Sequence, residues 1–152
     1  MPKSGRRVRL VLDTNVVLSA LLWQGTPFRL LGAIRDADDA RLFSSPALLH
    51  ELTNVLLRPS MTGRMAAIGA NAGEIISAYL EIVELVEPTE VPAVVLKDPA
   101  DDHVIAAAIA AGADLIVSGD KRHLLALGEH RGIAIVSPAD ALATLGTIGT
   151  AR

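Results

Sequence analysis

Short apolar runs alternate with longer stretches of helical spacing along most of this 152-residue chain. Val8 to Leu12 is brief and rich in branched side chains, and predicts a first strand. Val16 to Leu22 predicts a helix, and Pro27 opens a second that runs through Ile34. Asp36, Asp38 and Asp39 mark a solvated turn before a second strand at Leu42, Phe43 and Ser44. Ser45-Pro46 has the form of a helix start, with serine as the cap and proline in the first turn. The following helix carries Leu48, Leu49, Leu52, Val55 and Leu56 at helical spacing and ends before Pro59. Residues 61–83 read as helix cut into pieces by Gly63, Gly69 and Gly73. Ile82 to Val86 predicts a strand, and Pro88 and Pro92 a loop. The remaining pattern is a helix from Asp98-Pro99 to Gly112, a buried strand from Leu115 to Ser118 and a short helix from Lys121 to Leu127. A strand at Ile133 to Val136 and a helix from Pro138 to Leu145 close the chain. No repeat or linker interrupts it. Strands alternating with helices predict a single three-layer α/β/α domain over residues 1–152, its core about 8–145, with a mostly parallel central sheet.

Composition narrows the class. At 51% hydrophobic and 20% charged, the chain is not dominated by disorder. Aromatic residues are only 3%, so aliphatic side chains must form the core and base-stacking platforms are scarce. With no cysteine there is no disulfide and no thiolate metal or redox site, which fits a reducing cytosol. Lys3, Arg6, Arg7 and Arg9 ahead of the run from Leu10 to Trp23 have the outline of a signal peptide, but Asp13-Thr14-Asn15 breaks the run. The other long apolar stretch, Val104 to Ala113, is far short of the roughly 20 residues that span a bilayer. A soluble, cytoplasmic protein with no membrane association is expected.

The balance of 14 Lys and Arg against 17 Asp and Glu gives a net charge of −3, without the basic excess common in nucleic-acid binders. A few acids gathered at one site would account for that. In open parallel sheets, ligands bind off the carboxyl ends of the strands. Asp13 follows the first strand, and Asp120 follows the Leu115–Ser118 strand after one glycine. Taken singly, each is read more readily as a helix N-cap, since such caps are common. Glu51 lies three residues after Leu48 and four before Val55, at the border of an apolar helix face, where a rim carboxylate reaching solvent is the ordinary alternative. Asp98, Asp101 and Asp102 crowd one helix start, more than the macrodipole alone asks for. Two carboxylates about 5 Å apart repel by roughly 3 kcal/mol at an effective dielectric of 20. Four converging acids therefore call for a cation or a proton, and an all-oxygen set without cysteine favours Mg²⁺ or Mn²⁺.

The blocks Val11-Leu12-Asp13-Thr14-Asn15-Val16-Val17, Leu49-His50-Glu51-Leu52, Asp98-Pro99-Ala100-Asp101-Asp102 with Ile105-Ala106-Ala107-Ala108, and Leu115-Ile116-Val117-Ser118-Gly119-Asp120 together resemble a PIN-domain nuclease. They run in family order and spacing over about residues 8–145, and look closest to the toxins of toxin–antitoxin pairs. The resemblance implies an endoribonuclease dependent on Mg²⁺ or Mn²⁺, with Asp13, Glu51, Asp102 and Asp120 as the acidic cluster. Asn15 and Ser118 match positions that support such a site. Asp102 has the family's spacing to Ile105-Ala106, while Asp101 is adjacent and helical geometry alone does not reject it. Without those four acids the chain carries 13 acids against 14 bases. Lys97, Lys121, Arg122 and Arg58 then become candidates for steering phosphate, with solvated surface charge as the alternative for each. The resemblance also implies an RNA substrate, a small antitoxin partner and a homodimer.

In that reading Asp13, Glu51 and Asp102 hold the principal ion and Asp120 engages it through water or a second ion. The resemblance implies products with 5′-phosphate and 3′-hydroxyl ends. Three rivals remain. An aspartate-nucleophile phosphohydrolase shares the strand-then-Asp13 pattern, but the position of its acid/base aspartate holds Asn15. Histidine-based cleavage needs two of His50, His103, His123 and His130. The first adjoins Glu51 and the second Asp102, yet helical neighbours point about 100° apart. A PIN-like module that binds RNA or protein without cutting is the third.

Overall fold

The computed structural model describes residues 7–89, 99–120 and 124–150. Strand β1 (Val8–Leu12) leads into α1 (Thr14–Leu22) and α2 (Thr26–Asp36), then β2 (Ala40–Ser44). Three helices follow: α3 (Pro46–Leu56), α4 (Pro59–Ile68) and α5 (Ala72–Leu80). After β3 (Val83–Leu85) come α6 (Pro99–Ala111), β4 (Leu115–Val117), α7 (Leu124–Leu127), β5 (Glu129–His130), β6 (Ile133–Val136) and α8 (Pro138–Thr150). The strands form one six-stranded sheet in the order β3-β2-β1-β4-β6-β5, parallel except for β5 against β6.

Alternation along the strands divides the core into two layers. Leu10, Leu12, Leu42 and Val117 pack with Val17 of α1, Leu30 and Ile34 of α2, Tyr79 of α5 and Ala141 of α8. Val11, Phe43, Ile116 and Ile135 pack on the opposite face with Ile105 and Ala108 of α6 and Leu124 of α7. Helix α3 contributes Leu48 to the second layer and Leu52, Val55 and Leu56 to the first. The expected α/β/α arrangement with a mostly parallel sheet is what the chain adopts.

Three local expectations change. Strand β4 ends at Val117, and Ser118 lies just past it, its N–H donating to the Val136 carbonyl at 3.0 Å. Of the three glycines expected to break residues 61–83, only Gly69 does. It takes φ +73°, the left-handed conformation that stops α4, and the Asn71–Glu74 capping box then starts α5. Gly63 and Gly73 stay within helices, since one helical glycine costs only about 1 kcal/mol relative to alanine. The β5–β6 hairpin was not expected. His130 pairs with Ile133 across Arg131-Gly132, both with positive φ (51° and 81°), as a tight two-residue turn requires. The expected helix start at Lys121 and the loop at Pro92 lie outside the described residues.

The order of the strands positions the site. From β1 the chain steps outward to β2 and β3, then returns to place β4 on the other side of β1. Connections therefore diverge from the carboxyl ends of β1 and β4, which opens a crevice between them.

Candidate active site

Asp13 stands at that point of divergence. Its N–H extends the β1–β4 pairing by donating to the Val117 carbonyl at 3.0 Å. One carboxylate oxygen caps α1 by accepting from the Val16 N–H at 2.9 Å. The other accepts from the hydroxyl of Ser118, which is fully buried. The same Ser118 oxygen accepts the Asp120 N–H at 3.0 Å, so one hydroxyl ties together the two strand ends that carry acids. Burial raises the pKa of Asp13 above its ordinary value. The Ser118 and Val16 hydrogen bonds oppose that rise, while the charges of Asp120 and Glu51 add to it.

Glu51 arrives from α3. Ser45 caps this helix by accepting the Leu48 N–H at 3.3 Å, and Pro46 occupies its first turn, as the sequence predicts. The buried Leu48, Leu52, Val55 and Leu56 fix its rotation and leave Glu51 half-buried at the border of the apolar face. There the Thr14 hydroxyl donates to its carboxylate at 2.5 Å. Thr14 was not assigned a role from sequence; its place directly after Asp13 was the available signal.

A cavity of about 50 Å³ is lined by Asp13, Thr14, Asn15, Glu51, Asp101, Val104 and Asp120. Four carboxylates therefore share one hollow. Asp101 and Asp102 are both 7% exposed, but only Asp101 is in the lining. On α6 it shares a face with Val104 three residues on, whereas Asp102 is rotated about 100° away. Arg58 is exposed at the cap of α4 and does not line the cavity; nor do His50, His103 or His130. Lys97, Lys121, Arg122 and His123 lie outside the described residues.

The donor set suits a hard divalent cation, with four carboxylates beside a hydroxyl and an amide and room for accompanying water. Among the described residues no three of these groups are already gathered into a metal cage. A cation such as Mg²⁺, which keeps several of its own waters, does not require one.

This fold is that of a PIN domain: the sequence matches the PIN domain family over residues 9–122, and the chain belongs to it. Among solved structures, it is similar to the crystal structure of VapBC2 from Rickettsia felis bound to a DNA fragment from their promoter. The TM-score is 0.60 at 12% identity, covering 86% of this chain and 98% of that one, a likeness of fold. No curated protein matches the sequence. Among the described residues no helix is long and apolar enough to cross a membrane.

Proposed function

We propose that this protein is a divalent-metal-dependent endoribonuclease, the toxin of a toxin–antitoxin pair. The observation that carries the reading is the convergence of Asp13, Glu51, Asp101 and Asp120 on one cavity at the sheet's divergence point. These four are the residues we assign to hold Mg²⁺ or Mn²⁺, with Asp101 in the place that family spacing gives to Asp102. A cation bound there supplies Lewis acidity toward phosphoryl oxygens and activation of water.

The chain's own residues set up the rest. Ser118 and the Val16 N–H hold the Asp13 carboxylate in one orientation and favour its charged form. The Thr14 hydroxyl orients the Glu51 carboxylate from the neighbouring helix. Asn15 stands exposed at the mouth of the cavity, where its amide can meet the ribose or phosphate of a bound strand. A role for Lys97, Lys121, Arg122 or Arg58 in steering RNA belongs to this proposal, as do a small antitoxin partner, a homodimer and a cytoplasmic location. The shared fold with VapBC2 and the motif blocks support the toxin assignment.

The test is cleavage of single-stranded RNA with and without Mn²⁺, with product ends read by mass spectrometry. Expected are 5′-phosphate products, loss of activity in EDTA and in Asp13→Asn, and retained activity when each histidine is replaced in turn. A 2′,3′-cyclic phosphate formed in EDTA would overturn the metal-dependent reading. The toxin assignment predicts that expression of wild type, but not of Asp13→Asn, arrests growth; equal growth of both refutes it.

A further inference from the structure

Helix α6 lies against β1 and runs opposite to it. Asp101, near the start of α6, shares the acidic cavity with Asp13 at the end of β1. Ala111, at the other end of α6, meets Arg9 near the start of β1. From Arg9 to Asp13 is four residues of extended chain, about 13 Å. From Asp101 to Ala111 is ten residues of helix, about 15 Å. The two spans nearly match, so the contact at Arg9 sets how far α6 carries Asp101 toward Asp13.

That contact joins three elements. The Arg9 Nε–H donates at 2.7 Å to the Ala111 carbonyl, one of the last in α6, which the helix itself cannot pair. Gly112 stops the helix there at φ +61°, and the Ala113 N–H turns back to the Ala108 carbonyl at 2.9 Å. The guanidinium lies over the buried Phe43 ring of β2, 4.6 Å from its centroid. The Arg9 N–H donates to the Asp114 carboxylate at 3.0 Å, and the Arg9 carbonyl accepts the Asp114 N–H at 2.8 Å. Packing holds the rotation of α6 more firmly than its position along its own axis. Val104 and Ile105 are its large residues in the core layer, while Ala107, Ala108 and Ala111 make contact through side chains too small for deep ridges. A helix seated mainly on alanines resists sliding weakly, and a hydrogen bond at its end resists it directly.

We infer that Arg9 is a positioning residue for the acidic cavity: by pinning the carboxyl end of α6, it holds Asp101 level with Asp13. The inference rests on the metal-dependent reading and deepens it by naming what sets the spacing of two assigned ligands.

Arg9→Met keeps the length of the stem in a half-buried site and deletes the donor. Arg9→Gln places an amide N–H where Nε stood, so it keeps the tether without the charge. In EDTA, NMR of Arg9→Met is expected to show shifted amides from Asp101 to Val104, at the far end of the helix, and Arg9→Gln smaller shifts. Should Arg9→Met not fold, Arg9→Lys moves the donor one atom outward and is read the same way. Shifts confined to residues around Ala111 and Phe43 overturn the tether, as do equal shifts with and without the amide donor. By calorimetry, Arg9→Met should bind Mn²⁺ about 2–30-fold more weakly, with Arg9→Gln between it and wild type. Ile75→Val, in the other core layer, is the control for stability; it should lower Tm and leave Mn²⁺ affinity unchanged. An equal loss of affinity in Ile75→Val, or none in Arg9→Met, overturns the positioning role. Far-end shifts in a protein that binds no Mn²⁺ would leave the tether standing and remove the metal reading.

Discussion

Ser118→Ala tests the network that holds the two strand ends together. The hydroxyl it deletes is fully buried, donates to Asp13 and accepts from the Asp120 N–H. A hydrogen bond to a charged group contributes about 1.5–3 kcal/mol, and the second, between neutral groups, about 0.5–1.5. The variant should therefore lose about 2–4 kcal/mol, or about 5–15 °C in Tm for a chain of this size. Urea unfolding and thermal denaturation in EDTA read the loss without contribution from metal. The pH dependence follows from Asp13. Its folded pKa is raised, so its favourable contribution is complete below its unfolded pKa and is lost as pH rises through the folded value. Ser118 opposes that rise, because its hydroxyl stabilises the charged form. Removing it should hurt most near neutral pH and shrink toward about 1 kcal/mol once Asp13 is protonated. A loss below about 0.5 kcal/mol at pH 7, or one that does not change with pH, would refute the argument.

Millimolar Mn²⁺ should raise Tm in proportion to the binding linkage. At one hundred times Kd the gain is about 2.7 kcal/mol, or about 5–11 °C, and identical melting in EDTA and Mn²⁺ would remove the metal from the site. Asp101→Asn should lower single-turnover RNA cleavage by at least about a hundredfold while Asp102→Asn keeps most activity; the reverse pattern returns the third acid to the position given by family spacing. Thr14→Val should leave the fold intact and weaken Mn²⁺ binding by about 10–100-fold, as loss of a group that orients a ligand does. Unchanged affinity by calorimetry would show that the hydroxyl does not orient Glu51.

The parallel sheet was legible because its central strands are largely buried. Residues Val8 to Leu12 and Leu115 to Val117 read as apolar runs, and each is followed by a signal that ends it. Strand β5 was not legible. Two residues, Glu129 and His130, carry no alternation, and their pairing is imposed by a turn whose first central residue is Arg131 rather than the usual Asn or Asp. The breaks at Gly63 and Gly73 failed for the opposite reason. Glycine there weakens a helix without needing positive φ, so neighbouring packing decides.

At the site, order and spacing gave the elements but not the direction of each side chain. Asp101 and Asp102 are adjacent in sequence and equally buried, so only the rotation of α6, set by Val104 and Ile105 in the core, separates them. Asp13 shows a different limit. Its reading as a helix cap and its reading as a cavity residue were opposed as alternatives, yet a carboxylate has about four acceptor sites on two oxygens. Capping α1 uses one, and the Ser118 hydroxyl uses another on the second oxygen. Lone pairs remain for a further partner. The cap fixes the group at the strand end, and that fixed placement is what allows a carboxylate to meet others there without escaping into solvent. A cap that is also buried and set beside like charges carries a cost that capping does not explain, and the cation we assign to the cavity would offset it.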